Sequence, residues 1–128
     1  MALSLSSRIT LAEGFSYLHR KVSLLNVFHA IERKGLPGEE HDFVVLFECF
    51  GLKGDNHLLS LEIVHEAEGF IAVADADGQL EIGEVPEAAY AIVPFEGITF
   101  PSEGRYNVIA SVDGEYAGQW PLAIKGVS

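Results

Sequence analysis

The stretch GRYNVIASVDGEYAGQWPLAI, residues 104–124, decides the fold class of this chain. Apolar side chains occupy every second position before Asp113-Gly114, and a similar alternation resumes after this pair. Side chains of a β-strand point alternately to its two faces, so the pattern predicts two strands joined as a β-hairpin.

The positions of the apolar side chains before and after the turn determine whether the loop has an even or an odd number of residues. A two-residue turn at 113–114 would pair Val112 with Glu115 and put the apolar side chains of the returning strand on the wrong face. A three-residue loop with a bulge instead aligns Tyr106 with Trp120. We therefore predict a bulged, three-residue loop.

Turn-rich breaks divide the rest of the chain into further strand-like runs, about eight strands in all. Two of these breaks are predicted at residues 35–38 and 75–78, which are rich in glycine, proline and aspartate. Strands at this spacing predict an all-β fold, specifically a two-layer antiparallel β-sandwich of the immunoglobulin-like type. We expect a single domain over residues 9–125, with an N-terminal tail at 1–8 and a C-terminal tail at 126–128.

Composition limits the classes of partner. Nineteen acidic and eight basic residues among 128 give a formal net charge of −11, which repels nucleic acid phosphates and anionic lipid head groups. We therefore expect neither a nucleic acid nor a membrane partner. The only cysteine, Cys49, cannot form an internal disulfide, and no stretch approaches a membrane span, so we expect a soluble, cytoplasmic protein.

Two strand-like runs, at residues 22–31 and 42–50, are apolar on both faces. A two-layer sandwich buries one face of each sheet, so the surplus face needs a cover. That cover is a connection such as 51–56 or 67–76, the N-terminal segment, or another protein or second copy of the chain. The candidate interface residues are Leu25, Val27, Phe28, Val44, Leu46, Phe47 and Phe50.

The segment VADADGQLEIGE, residues 73–84, has two interpretations. As a calcium loop with Gly78 at the turn, it supplies Asp75, Asp77 and Glu84 as metal ligands, although Val73 stands where the first ligand is normally aspartate. As a hairpin, it has a turn at residues 77–78 between two short strands. Both interpretations remain open from the sequence.

The sequence contains no arrangement of residues that requires catalysis. Its five histidines lack metal-ligand spacing, and no phosphate loop, nucleophile elbow or dinucleotide fingerprint is present. Cys49 lies in the apolar run FVVLFECF, where burial raises the pKa of a thiol, so we predict a core position. We expect no cofactor and no enzymatic activity.

Several residues resemble a known family. Lys21, Val27 and Phe28 follow the pattern of an early strand of that family, with Asn26 in place of a glycine. The resemblance spans residues 9–124 and is to an uncharacterised family of small bacterial β-sandwich proteins, a domain of unknown function. It implies a β-sandwich and brings no catalytic residues. The closing element matches at Phe100, Gly104, Tyr106, Asp113 and Gly114.

Two functions are compatible with these observations. The doubly apolar strands favour a non-enzymatic interaction or assembly module that binds itself or a protein partner. The acidic segment 75–84 favours, as the alternative, a β-sandwich that binds calcium or a small ligand.

Overall fold

The structure is a computed structural model that describes residues 6–19, 21–33, 39–54, 56–68, 72–82 and 85–126. None of these segments forms a helix of the length and hydropathy needed to span a membrane. The described residues form ten strands and one 3₁₀ turn: β1 (Ser6–Leu18), β2 (Lys21–Phe28), β3 (Ala30–Arg33), β4 (His41–Phe50), β5 (Leu58–His65), the 3₁₀ turn (Glu66–Glu68), β6 (Ala72–Gln79), β7 (Glu81–Ile82), β8 (Ala88–Ile98), β9 (Gly104–Val112) and β10 (Glu115–Gly126).

The strands form two packed sheets of five strands each. The first sheet has the order β2-β1-β4-β8-β7, and the second has the order β3-β10-β9-β5-β6. Among the described strands, β3 and β10 pair in parallel and every other pair is antiparallel. The all-β, two-layer prediction is confirmed, and the immunoglobulin-like connectivity stays a prediction.

The predicted strand at residues 22–31 is two strands. The chain bends at His29, so that β2 belongs to the first sheet and β3 to the second. The backbone N–H of Ala123 donates to the His29 carbonyl at 3.2 Å and fixes this crossing. The two faces of the run are both apolar in part because its two halves contribute to different sheets.

Aromatic side chains fill one end of the core between the sheets. Phe43 stacks on Phe95 with ring centroids 5.4 Å apart, and Phe100 meets Tyr106 edge to face at 5.2 Å. The buried Tyr106 hydroxyl donates to the Ser102 carbonyl at 2.8 Å. This bond satisfies the polar end of an otherwise apolar side chain and closes the bend before β9.

The predicted three-residue hairpin loop is wrong. Val112 pairs directly with Glu115 around a two-residue turn, in which Asp113 and Gly114 have φ of 51° and 84°. Two left-handed residues give a turn whose twist matches that of the flanking strands. The extra residue that brings the apolar side chains of β10 back to the correct face is Ala117, which lies in a bulge within β10.

The bulge sets the register of the closing strands. Beyond it, Leu122 lies opposite Tyr106, whereas Trp120 lies opposite Val108 and not opposite Tyr106 as predicted. Ala117 is buried, and its carbonyl accepts a hydrogen bond from the Ser7 hydroxyl at 2.7 Å. The bulge therefore ties the start of β1 to the second sheet.

The predicted turn at 75–78 is also wrong, because these residues lie within β6. Asp75 pairs with Glu62 and Asp77 pairs with Ser60 of β5. The chain instead crosses from the second sheet to the first at Leu80, whose backbone N–H donates to the His57 carbonyl at 3.0 Å. Burial of the Leu80 side chain anchors this crossing in the core.

Candidate interaction surface

The candidate interface residues separate into core and surface positions. Phe47 is fully buried between the sheets, so it is a core residue and not an interface residue. Phe28 packs edge to face on Phe43 at 5.9 Å, on the side of β2 that faces the core. Phe50, by contrast, is half exposed at the end of β4.

Val44 and Leu46 lie on the outward face of the first sheet, since their neighbours Val45 and Phe47 point into the core. Val44 is nevertheless buried, and so is Ala12, which lies opposite it on β1. Neither belongs to the core cluster between the sheets. Part of the outward face is therefore covered.

The tip of the β1–β2 hairpin reaches over this outward face. Strand β1 pairs with β4 only as far as Ala12, which lies level with Val44 and Pro94. If β1 continued straight beyond Ala12, Tyr17 would lie about 30 Å from Tyr90. The two phenol groups instead lie close enough to interact, so the hairpin folds back over the outward face of the sheet.

The bend has a local cause in β2. Asn26 has a left-handed φ of 54°, a conformation that asparagine tolerates better than most residues. Pairing between β1 and β2 is interrupted at the same level, between Glu13 and Asn26. Asn26 occupies the place of the glycine that the resemblance leads one to expect, and its left-handed backbone is of the kind that glycine adopts readily.

The two faces of strand β2 differ in exposure. Val22 and Leu24, which share a face with Tyr17, are half-buried. Leu25 and Val27 lie on the opposite face, with 53% and 51% of their side chains exposed. We call the exposed side chains of Leu18, Leu25 and Val27, together with the free edge of β2, the hairpin surface.

The free edge of β2 differs from the other three sheet edges. Among the described strands, β3 has four residues and β7 has two, which are too short to extend a sheet effectively. β6 has eight residues, but Asp75 and Asp77 place exposed charges along it. β2 is equally long, and its stretch from Val22 to Phe28 contains no charge. It is the edge least protected against pairing with another strand.

A cleft of about 520 Å³ lies beside the base of the hairpin, where the chain crosses between the sheets. Phe28, Ile31 and Phe43 supply apolar lining. The charged and titratable residues that line it are Glu13, Glu32, Glu40, His41 and Asp42.

The cleft has an acidic character. None of the described residues that line it is lysine or arginine. Asp42 Oδ1 accepts a hydrogen bond from the Gly97 N–H at 2.8 Å, and His41 Nε2 lies 3.8 Å from Glu39 Oε1. Four carboxylates within one cleft produce a negative local potential that attracts cations.

Two of the three hypothetical calcium ligands, Asp75 and Asp77, lie on a strand and not in a loop. Asp75 and Asp77 are exposed on strand β6, whose extended backbone cannot wrap around an ion. Glu84 lies outside the described residues. In the part of the chain that the structure describes, no three histidine, cysteine, aspartate or glutamate side chains group as metal ligands.

A histidine–aspartate pair that the sequence did not indicate joins two loops at one end of the sandwich. His57 Nδ1 lies 2.6 Å from Asp113 Oδ2, and His57 Nε2 lies 2.8 Å from the Lys53 carbonyl. The hydrogen bond to Asp113 and that to the Lys53 carbonyl raise the pKa of His57. The same pairing, with the Leu58 N–H as a second donor, lowers the pKa of Asp113.

Cys49 occupies the predicted core position. Its side chain is buried, and this burial raises the pKa of the thiol. A protonated, buried thiol is a poor nucleophile. Cys49 is therefore a packing residue of the first sheet.

Comparison with known proteins agrees with this architecture. A model of a family of unknown function, DUF6941, matches residues 7–125, which is nearly the whole chain. The chain belongs to this family. No curated protein matches it. Membership of DUF6941 confirms the resemblance seen in the sequence, whereas a bacterial origin stays a prediction.

Proposed function

We propose that this DUF6941 protein is a non-enzymatic interaction module that binds another polypeptide through the hairpin surface. The observation that carries the proposal is the coincidence of exposed apolar side chains, at Leu18, Leu25 and Val27, with a long sheet edge that carries no charge from Val22 to Phe28. Apolar patches and unprotected edges are unfavourable in water unless a partner covers them.

The polypeptide is either a second copy of the chain or a different protein, and a cytoplasmic setting is part of the proposal. Two copies that each carry a net charge of −11 repel one another, which favours a different partner. The alternative, a β-sandwich that binds calcium or a small ligand, has less support, since Asp75 and Asp77 lie on a strand.

The test compares two double variants with the same change in charge. In the hairpin variant, Leu25→Lys and Val27→Lys place lysines on the hairpin surface. In the control variant, Leu58→Lys and Ile82→Lys place them at exposed apolar positions elsewhere. Both should remain folded by circular dichroism, because all four side chains are exposed.

Each protein is immobilised and used to select peptides from a random display library, and its mass is followed by light scattering across a concentration series. We expect peptides, or self-association, with the wild type and the control variant and a loss of about tenfold or more in binding with the hairpin variant. Equal binding by the hairpin variant, or a strict monomer that selects no peptide, would contradict the proposal.

A further inference from the structure

We propose that β2 accepts an extended polypeptide segment as a sixth strand of the first sheet, and that a lysine or arginine of this segment lies in the acidic cleft. This inference rests on the proposed function and adds the binding mode and the chemistry of the partner.

The backbone of β2 provides the first part of the binding site. Among the described strands, β2 pairs only with β1, so its other side presents unpaired N–H and C=O groups. Addition of a strand to such an edge gains main-chain hydrogen bonds, while pockets beside the edge select particular side chains. The uncharged stretch from Val22 to Phe28 offers no charge that would oppose it.

The cleft provides the second part, because it adjoins the end of the same edge. Phe28 is at once the last residue of β2 and part of the cleft lining. Glu13, another lining residue, lies on β1 at the level of Asn26. Neighbouring strands are about 4.8 Å apart, so a long side chain of an added strand can reach from the edge of β2 toward the carboxylates.

The charges determine which side chain fits. Glu13, Glu32, Glu40 and Asp42 line the cleft without a basic residue among its described lining. The aliphatic stem of a lysine or arginine can pack on Phe28 and Phe43 while its cationic end meets the carboxylates. The net charge of −11 also accelerates the encounter with a basic partner.

The same charges argue against a second copy as the occupant. A second copy brings another net charge of −11 to a surface that already carries the acidic cleft. Like charges across an interface weaken association and slow the encounter. We therefore assign the edge to a different, basic polypeptide.

The test uses three fluorescent decapeptides and fluorescence anisotropy. One alternates valine and lysine, the second alternates valine and glutamate, and the third is the valine–lysine peptide with a methyl group on every backbone nitrogen. We expect the first to bind the wild-type protein and the other two to bind at least about tenfold more weakly, since one lacks the cation and the other lacks backbone donors.

Two double variants then separate the cleft from the overall charge. Glu40→Gln with Asp42→Asn removes two carboxylates from the cleft, and Asp75→Asn with Asp77→Asn removes two from the edge strand β6. We expect the cleft variant to bind the valine–lysine peptide about tenfold more weakly and the β6 variant to bind nearly as well as the wild type.

Equal losses in both variants, equal binding of the lysine and glutamate peptides, or unimpaired binding of the N-methylated peptide would overturn this inference. If library peptides still depend on the hairpin surface in that case, the proposed function stands and only the basic, added-strand mode fails. If they do not, the proposed function fails as well.

Discussion

The phenol groups of Tyr17 and Tyr90 lie close enough to interact, although Tyr17 belongs to the edge hairpin of the first sheet and Tyr90 lies on β8, three strands across the sheet from β2. This contact holds the β1–β2 hairpin against the outward face of its own sheet. It sets which apolar side chains the sandwich shelters and which it presents to a partner. Desolvation by burial, followed by the hydrogen bond to Tyr17, raises the pKa of Tyr90.

Removal of this contact should loosen the hairpin without unfolding the sandwich. Tyr17→Phe deletes the hydroxyl that lies beside Tyr90, and the loss of one such polar contact costs about 1 kcal/mol. We expect amide hydrogen exchange to accelerate across β2 while β9 is unchanged. Tyr116→Phe, which removes a hydroxyl from an exposed tyrosine on the second sheet, is the control. Unchanged exchange in β2 of the Tyr17 variant would contradict the fold-back of the hairpin.

The pair formed by His57 and Asp113 should make stability depend on pH. The raised pKa of His57 means that its contribution is fully present below the ordinary histidine pKa, about 6.5, and is lost as pH rises through the folded value. The lowered pKa of Asp113 means that its contribution is present above the ordinary aspartate pKa, about 3.9, and is lost as pH falls through the folded value. The pair therefore stabilises most between about pH 4 and pH 6.5.

Thermal denaturation of the wild type and His57→Gln across pH 5 to 9 measures this effect. The wild type should have the higher Tm at pH 5 to 6, and the difference should shrink toward pH 9. A difference that stays constant, or that grows with pH, would rule out a charged His57 as the source.

Phe47 and Phe50 lie on opposite faces of β4 and should respond differently to truncation. Phe47→Ala empties a fully buried position and should lower the free energy of unfolding by about 3–5 kcal/mol. Phe50→Ala, at a half-exposed position, should change it by about 0.5 kcal/mol or less. Urea denaturation checks both values. A mild effect at Phe47 would place it outside the core.

Gly104 and Gly114 both have a left-handed backbone, but only at Gly104 would an added Cβ atom also contact another side chain. At Gly104, with φ of 136°, a Cβ atom would lie 2.9 Å from His65 Nε2. At Gly114, with φ of 84°, a Cβ atom would meet nothing within 4 Å. Gly114→Ala should therefore cost only the strain of a left-handed residue, about 1–2 kcal/mol, and Gly104→Ala should cost more. Equal losses in urea denaturation would contradict the contact with His65.

Local alternation predicted most strands but not the sheet to which each belongs. The run at 22–31 is apolar over most of its length and contains no turn signal, yet the chain changes sheets at His29, because this crossing depends on contacts with distant β10. The alternation likewise required one extra residue near the last hairpin, so that the apolar side chains of both strands share a face. Its position at Ala117 follows from the fit of a two-residue turn and from the contact with Ser7, which is remote in sequence.

The candidate surface was predictable only in part. Leu25 and Val27 were expected at an interface and are exposed, whereas Phe47 was assigned to the same surface and is buried. The alternation shows that both faces of a strand are apolar, but it does not show which face meets the other sheet. The fold-back of the hairpin and the cleft each require residues from several strands, which no single stretch of sequence reveals.

The most direct test of the central claim is amide hydrogen exchange with and without the valine–lysine decapeptide. The account predicts that exchange slows by about tenfold or more at backbone amides of β2 and is unchanged at β6, the other long edge. Protection at β6 instead of β2, or no protection at β2 when the peptide is bound, would contradict the assignment of β2 as the edge that receives a partner strand.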